Sequence, residues 1–316
     1  MLRFRTGSPS SWSDQLCPMA EARRLVVQSV LYANSTEDIV RAGLAVINSV
    51  SWARDAGLIS SWVLRLGDCS PEPVFTEESI SPLRAAVEES GGEISYTVFG
   101  ANLGSAAGQN RLAAAGDEEL MLILNPDTQV APDTLSVLAR AVREDIGIAE
   151  ARQVPLEHPK YFEPQTGNTS WASTACALTT REAFDSVSGF DSATFFLYCD
   201  DLDYSWRLRL AGYRVVYEPS ARVFHDKRLT ITGDWPAGAA EIYYSAESAI
   251  LLAFKYSRND LVDSLVKAFT KEGSEPGLRA VAEYERRKAS GALPTQLDGD
   301  HRVAQFINGN YAVHRY

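Results

Sequence analysis

Cysteine and histidine are scarce in this chain of 316 residues, which has four of each. The cysteines are Cys17, Cys69, Cys176 and Cys199. They stand far apart, without the close pairs that bind zinc and without the density of a disulfide framework. We therefore expect no structural zinc site, no disulfide-stapled fold, and a reducing compartment such as the cytoplasm.

Positive charge is also in short supply. The chain has 30 Lys and Arg against 41 Asp and Glu, a formal net charge of -11. A groove for nucleic acid needs a basic surface, so a nucleic-acid partner is not expected. An anionic ligand would need local help from a metal ion or from a helix N-terminus.

Long apolar runs are missing as well. No stretch reaches the roughly 18 apolar residues that cross a membrane. At the start, Arg3 and Arg5 precede a polar run and no apolar core follows, which does not resemble an export signal. The sequence predicts a soluble cytoplasmic protein that at most touches the inner face of the cytoplasmic membrane, with an irregular arm over residues 1–24.

What the chain does have is an alternation of strand and helix patterns, with 45% hydrophobic residues to build a core. The predicted strands are 24–32, 61–66, 94–100 and 119–124. The predicted helices are 35–50, with a cap at Ser35 or Thr36, then 82–90 and 108–115. Repeated units of this kind imply a mostly parallel sheet with helices on both faces, whose ligands sit at the carboxyl ends of the strands.

The apolar strand at 119–124 is followed by Asn125, Pro126 and Asp127, so Asp127 is predicted at the edge where ligands bind. A turn leading to a helix that starts near Pro132 explains the same residues. Haloacid-dehalogenase-like phosphatases also place two aspartates after such a strand. Here the first of them would be Asn125, and an amide cannot attack a phosphoryl group, so the phosphatase stays the weaker alternative.

Three aspartates, Asp200, Asp201 and Asp203, follow an aromatic run and begin a helical pattern. The free N–H groups of a helix start favour ionised carboxylates, so we expect Asp200 and Asp201 to be charged at neutral pH. Asp203 and Arg207 are four residues apart, which predicts a surface ion pair. Farther along, a second extended stretch after the strand over 213–219 ends on His225, which is either structural or a metal ligand.

Residues 25 to about 230 resemble the inverting glycosyltransferases of family 2, and within them the rhamnosyltransferase-like branch. The resemblance rests on "NLGSAAGQN" (102–110), "LILNPDT" (122–128), "GFDSATFFLYCDDLDYSWRLRLAGYRVVYEPSARVFH" (189–225) and their order. It implies the GT-A fold, which is α/β and Rossmann-like, with a mostly parallel central sheet and helices on both faces. The chain then divides into the arm at 1–24, a catalytic domain at 25–230 and a helical C-terminal extension at 231–316.

The resemblance also implies roles for single residues. Asp127 would hold Mn²⁺ or Mg²⁺ on the donor diphosphate, with His225 as a second ligand, and Asp201 would be the general base beside Asp200. The nucleotide-sugar site would comprise Tyr32, Asn34, Asp68, Asn102, Gly104, Asn110, Asn125 and Asp127. The acceptor site would comprise Trp171, Thr174 and Cys176.

Two stretches depart from the family's pattern. Gly67-Asp68-Cys69-Ser70 stands where Asp-Asn-x-Ser is usual, and a plain turn explains Asp68 equally well. Thr174-Ala175-Cys176 stands where Gly-Ala or Gly-Gly is frequent, which predicts an acceptor pocket of different shape.

We therefore expect a metal-dependent inverting glycosyltransferase of cell-envelope polysaccharide synthesis. Its donor would be a nucleotide diphosphate-sugar, with dTDP-rhamnose or a UDP-hexose favoured, and its acceptor a hydroxyl of a glycan or a lipid-linked molecule. A sugar-nucleotide-binding protein without transfer activity and the phosphatase are the alternatives. One or two amphipathic helices over 241–269 would pack on the main domain or form a homodimer, in preference to peripheral membrane contact.

Overall fold

The computed structural model describes residues 21–157, 160–226 and 237–309. Most of the predicted N-terminal arm, including Cys17, lies outside the described residues, and so does most of the stretch that leads into the C-terminal extension. Within the described ranges, no helix combines the length and the apolar composition that a membrane crossing requires.

Eight strands form one sheet in the described part of the chain. They are β1 (Arg23–Leu31), β2 (Ile59–Asp68), β3 (Glu93–Val98), β4 (Leu120–Leu124), β5 (Thr128–Val130), β6 (Ile146–Val154), β7 (Cys176–Thr180) and β8 (Arg214–His225). Their order across the sheet is β3-β2-β1-β4-β7-β6-β8-β5. Only β7 and β5 run against the other strands, so the mostly parallel sheet is confirmed.

The four predicted strands correspond to β1 through β4, while β5, β6 and β7 were not predicted. The prediction of two extended segments at the end of the domain is wrong, because β8 is one continuous strand of 12 residues. Its pairing with β6 shifts register between Ala151 and Arg152. Pro219 lies opposite this irregularity, where a residue without an N–H does not break the ladder.

The helices cover both faces of the sheet and form the C-terminal extension. They are α1 (Thr36–Asp55), α2 (Glu77–Glu89), α3 (Gly104–Ala113), α4 (Thr134–Ala141), α5 (Arg181–Ser186), α6 (Asp200–Leu210), α7 (Ala239–Lys255), α8 (Asn259–Glu272) and α9 (Glu275–Ser290). The cap at Ser35 is confirmed, since its side chain accepts from the backbone N–H of Asp38. Helix α2 begins at Glu77 and not at residue 82, because Thr76 and Ser79 cap each other.

The core is divided among three apolar clusters. Two of them lie on the two faces of the sheet, under α1, α2 and α4 on one side and under α3, α5 and α6 on the other. The third joins α6 to the C-terminal helices, with the fully buried Trp206 against Tyr256 at 4.7 Å between ring centroids. The extension therefore packs on the helix that carries the acidic residues, as in the first of the arrangements that the sequence left open.

Candidate active site

The parallel strands bring the predicted site residues to one edge of the sheet. Tyr32 follows β1, Asp68 ends β2, and Asn125 with Asp127 follow β4. The antiparallel β7 starts at the same edge, since the backbone N–H of Asn125 donates to the carbonyl of Ala175 at 2.9 Å. The carboxyl end of a parallel sheet is where open α/β folds bind ligands.

Asp127 and His225 meet at this edge. The register of β5 on β8 pairs Thr128 with His225, which brings the preceding Asp127 beside the imidazole. His225 Nε2 lies 3.3 Å from Asp127 Oδ1, and the other ring nitrogen, Nδ1, lies 2.8 Å from Gln153 Oε1. An amide oxygen can only accept, so Nδ1 is the donor in this hydrogen bond and Nε2 is the ring nitrogen that faces the carboxylate.

This geometry fits a divalent cation. A ring nitrogen and a carboxylate oxygen that face each other are the two types of donor atom that a divalent metal ion can bridge. One imidazole and one carboxylate suit Mn²⁺, and a hydrogen bond to the second ring nitrogen is the usual way of orienting a metal-binding histidine. No group of three or more His, Cys, Asp or Glu side chains that could hold a metal ion occurs in residues 21–157, 160–226 and 237–309.

The acidic pair begins α6. Asp200 is 5% exposed, a hydrogen bond from the Ser105 side chain reaches its carboxylate, and its Oδ2 has no hydrogen-bond partner in the described chain. Asp201 is less buried, and its Oδ1 accepts from the backbone N–H of Leu202 at 2.9 Å. One oxygen of this pair is thus left without a protein donor although it is screened from solvent.

The expectation that both carboxylates are fully ionised at neutral pH is wrong. Burial, followed by the neighbouring charge of Asp200, raises the pKa of Asp201 to about 7. Burial also raises the pKa of Asp200, against the hydrogen bonds that lower it. The helix start does supply N–H groups, but the loss of solvent outweighs them.

A buried ion pair beside the acidic residues was missed by sequence reasoning. Lys160 pairs with Glu150 of β6, and their side chains are 5% and 0% exposed. The Lys160 ammonium also lies 3.9 Å from the ring centroid of Trp171. Its charge lowers the pKa of Asp201 while that of Glu150 raises it, so both belong to the same electrostatic environment. The two residues are ten apart in an unremarkable stretch, and no motif marks them.

The predicted surface ion pair of Asp203 and Arg207 exists at 2.7 Å, but Asp203 is fully buried. Its carboxylate also contacts Lys255 at 2.5 Å and accepts from the Tyr256 hydroxyl at 3.1 Å. The prediction of a surface position is wrong because the C-terminal helix α7 covers this side of α6.

The turns after β1 and β2 differ in how far their side chains are exposed to solvent. Tyr32 is 52% exposed, and its backbone N–H donates to Asn34 Oδ1 at 2.8 Å. Asp68 is fully buried and accepts from the backbone of Ser70 and Val74 and from the Tyr96 hydroxyl. Burial alone would raise the pKa of Asp68, but these hydrogen bonds lower it. Asp68 thus fastens a turn, and its contact with a nucleotide stays a prediction.

The glycine-containing loop before α3, together with α3 itself, contacts the chain around Phe190 and Phe196. Asn102 Oδ1 accepts from the backbone N–H of Gly104, which has a φ of +72°. A Cβ at Gly104 would lie 2.2 Å from the carbonyl oxygen of Phe196, so a glycine is required here by the close approach of the Phe196 backbone. Asn110 holds the backbone of Phe190 through both its amide nitrogen and its oxygen, at 2.7 and 2.9 Å. Contact of Asn102, Gly104 and Asn110 with a nucleotide-sugar stays a prediction.

The three predicted acceptor residues have different environments. Cys176 is fully buried in the main core, where burial raises the pKa of its thiol, and Trp171 is 3% exposed. Thr174 alone of the three is partly exposed. A thiol in the core cannot line an acceptor pocket, so the prediction for Cys176 is wrong, whereas contact by Thr174 stays a prediction.

Comparison with known proteins gives a relative in sequence. No family model matches the chain. It is 30% identical over 206 residues to the N-acetylglucosaminyl-diphospho-decaprenol L-rhamnosyltransferase of two strains of Mycobacterium tuberculosis. The match covers 50% of this chain and 66% of that protein, just under two thirds of its length.

Solved structures agree on the fold. The mannosyltransferase PcManGT from Pyrobaculum calidifontis, in complex with GDP-Man and Mn²⁺, matches with a TM-score of 0.53 and 15% identity over 86% of this chain and 81% of its own. GalNAc-T7 with UDP, GalNAc and Mn²⁺ matches with a TM-score of 0.60 and 13% identity over 87% of this chain and 56% of its own. At such identities the likeness shows the fold alone. The chain therefore has the GT-A fold and is rhamnosyltransferase-like in sequence, as the resemblance implied.

Proposed function

We propose that this chain is a metal-dependent inverting glycosyltransferase that uses a nucleotide diphosphate-sugar. Two observations support the proposal: the Asp127–His225 pair lies beyond the carboxyl end of β4, and the acidic start of α6 is contacted by Ser105 of α3, the helix that follows the carboxyl end of β3. The first is suited to a cation, and the second holds a carboxyl whose pKa is about 7. Sugar transfer from a diphosphate needs both a cation for the leaving group and a base for the acceptor.

Asp127 and His225 would hold Mn²⁺ or Mg²⁺, with Gln153 fixing the imidazole so that Nε2 is directed at the ion. A bound cation would neutralise the charge that develops on the departing diphosphate. Since the chain carries a net charge of -11, this help is needed for an anionic donor.

Asp201 would accept the proton of the acceptor hydroxyl while that oxygen bonds to the anomeric carbon and the bond to the diphosphate breaks. The nucleotide diphosphate leaves with the bonding electron pair, and a single displacement inverts the configuration. Asp200 would tune Asp201, because its neighbouring negative charge raises the pKa of the base toward neutrality.

The relative's name guides the choice of substrates. It is an L-rhamnosyltransferase whose acceptor is a decaprenol-linked N-acetylglucosaminyl diphosphate, which favours dTDP-rhamnose over a UDP-hexose and a lipid-linked acceptor over a free glycan. Such an acceptor would bring the protein to the inner face of the cytoplasmic membrane, in cell-envelope polysaccharide synthesis. Homodimer formation through the C-terminal helices stays a prediction.

The test is to incubate the protein with Mn²⁺ and dTDP-rhamnose, UDP-glucose or UDP-galactose, with and without a short-chain polyprenyl diphosphate-linked N-acetylglucosamine. Released nucleotide diphosphate and the anomeric configuration of the product are then measured. We expect acceptor-dependent release with inversion. A donor-induced thermal shift without any release would favour the binding protein, and release of inorganic phosphate would favour the phosphatase. Either result would overturn the proposal.

A further inference from the structure

The segment from Asp191 to Asp203 carries the acidic pair, and one side chain of α7 holds both its ends. Lys255 Nζ lies 2.6 Å from Asp191 Oδ2 and 2.5 Å from Asp203 Oδ1. The Lys255 side chain is only 5% exposed. If the ends of the segment separated, buried charges would lose their partners, which is strongly unfavourable.

The middle of the same segment is also fastened to α7. Ser248 Oγ donates to the carbonyl of Leu197 at 2.9 Å, and the ring of Tyr244 stacks on Phe196 with centroids 4.8 Å apart. From the other side, the backbone N–H of Ser105 donates to the carbonyl of Phe196 at 3.0 Å. The segment is thus held between α3 and α7.

The backbone directly before the acidic pair needs such support. Tyr198 and Cys199 have φ values of 65° and 57°, so two successive residues with side chains adopt the left-handed conformation. This conformation is unfavourable for residues other than glycine and persists only where the surroundings over-determine it. Asp200 and Asp201 follow at once, so their direction depends on these two residues.

We propose that Lys255 is a positioning residue of the active site. By bridging Asp191 and Asp203 it holds the segment between them closed and thereby directs Asp201 toward the acceptor. The proposal rests on the proposed function for the part that concerns transfer, and on the contacts alone for the part that concerns the segment. It makes α7 a functional part of the catalytic domain and not an appendage.

The neighbouring contacts offer a matched control. The Tyr256 hydroxyl donates to Asp203 Oδ1 and to its carbonyl, both at 3.1 Å, and belongs to the same buried layer as Lys255. In the described chain the Tyr256 hydroxyl bonds to Asp203 and not to Asp191, so Tyr256→Phe removes hydrogen bonds at one end and leaves the bridge intact.

The experiment uses Cys199 as a reporter, because this residue is 2% exposed and lies inside the segment. Wild type, Lys255→Met, Lys255→Arg, Asp191→Asn and Tyr256→Phe are treated with a maleimide, and peptide mass mapping gives the labelling rate of each cysteine. The fully buried Cys176 in the sheet reports global unfolding in the same sample. Turnover and donor-induced thermal shift are measured in parallel.

We expect Lys255→Met to raise the labelling rate of Cys199 by about tenfold over wild type, with Cys176 unchanged, as for a local opening. Turnover should fall by about tenfold while the donor-induced shift is kept, because only the base is displaced. Lys255→Arg should recover part of both effects, and Tyr256→Phe should match wild type. Asp191→Asn leaves the Lys255–Asp203 pair in place and should show smaller changes in the same direction. If Lys255→Met does not fold, Asp191→Asn is the variant that tests whether Lys255 closes the segment.

The proposal is overturned if Cys199 stays as protected in Lys255→Met and Asp191→Asn as in Tyr256→Phe, or if Cys199 and Cys176 open together. Normal turnover with an opened segment would overturn its catalytic part. A wild type that transfers no sugar overturns the proposed function instead, and the labelling rates then still decide whether Lys255 closes the segment.

Discussion

Four aspartates of one short stretch fall into two kinds. Asp191 and Asp203 share the ammonium of Lys255, and its hydrogen bond helps to lower the pKa of Asp191 even though burial raises it. Asp200 and Asp201 have no ion-pair partner within the described residues, and burial raises the pKa of both. Buried carboxylates that pair with a cationic side chain stabilise the structure, and those without such a partner are the better candidates for catalysis.

The largest effect is expected from Asp201→Asn. The amide keeps the shape of the side chain but cannot accept the acceptor's proton, so turnover should fall by about 10²-fold or more. The donor-induced thermal shift should stay near wild type. Initial rates of nucleotide release with saturating acceptor measure the change.

Asp200→Asn is the comparison for that variant and should cost less. If Asp200→Asn lost transfer and Asp201→Asn kept it, the base would be the first aspartate of the pair. Normal transfer by both variants would mean that the pair only begins a helix.

The next effect concerns the metal. Asp127→Ala removes the only carboxylate that contacts the His225 imidazole in the described chain, and should abolish the Mn²⁺-dependent part of the donor-induced thermal shift. The fold should persist, since Asp127 lies in a partly exposed turn after β4. Differential scanning fluorimetry with donor, with and without Mn²⁺, is the measurement. An unchanged metal-dependent shift would remove Asp127 from the cation site.

A pH profile sharpens the contrast between the two kinds of carboxylate. Asp201 must be ionised to act as a base, so turnover should be constant above a pH of about 7 and fall by about tenfold per pH unit below it. Asp200→Asn removes a negative neighbour that raises the pKa of Asp201, so the acidic limb should move to lower pH in that variant. Measuring kcat from pH 5 to 9 tests this, and an unmoved limb would contradict the assigned coupling.

Much of the fold was accessible from the sequence, because β4 is wholly apolar and α1 has a capped amphipathic pattern. By contrast, β6 contains Glu150, Arg152 and Gln153, and such polar residues conceal a buried strand. The negative charge of Glu150 is neutralised by Lys160, which lies ten residues later in a loop. This pairing depends on the tertiary structure. The spacing of residues in the sequence does not predict such a buried ion pair.

The same limit applies to the candidate site. The edge position of Asp127 followed from the end of an apolar strand, and its encounter with His225 followed only from the resemblance. The burial of Asp203 could not be predicted, because the helix that covers it, α7, begins 36 residues later in the chain. Helix spacing identified Arg207 as its partner but gave no sign of Lys255.

The smallest effect on transfer is expected from Asp203→Asn, although its effect on stability should be large. The substitution removes a buried negative charge that serves both Arg207 and Lys255, which should cost about 3 kcal/mol in the free energy of unfolding. An asparagine oxygen can still accept from Lys255, so the segment stays fastened and turnover of the folded protein should change only a few-fold. Urea denaturation and initial rates at a temperature where the variant is folded measure the two quantities. If Asp203→Asn lost as much turnover as Asp201→Asn at unchanged stability, Asp203 would belong with the catalytic pair, and the division of the four aspartates by their cation would fail.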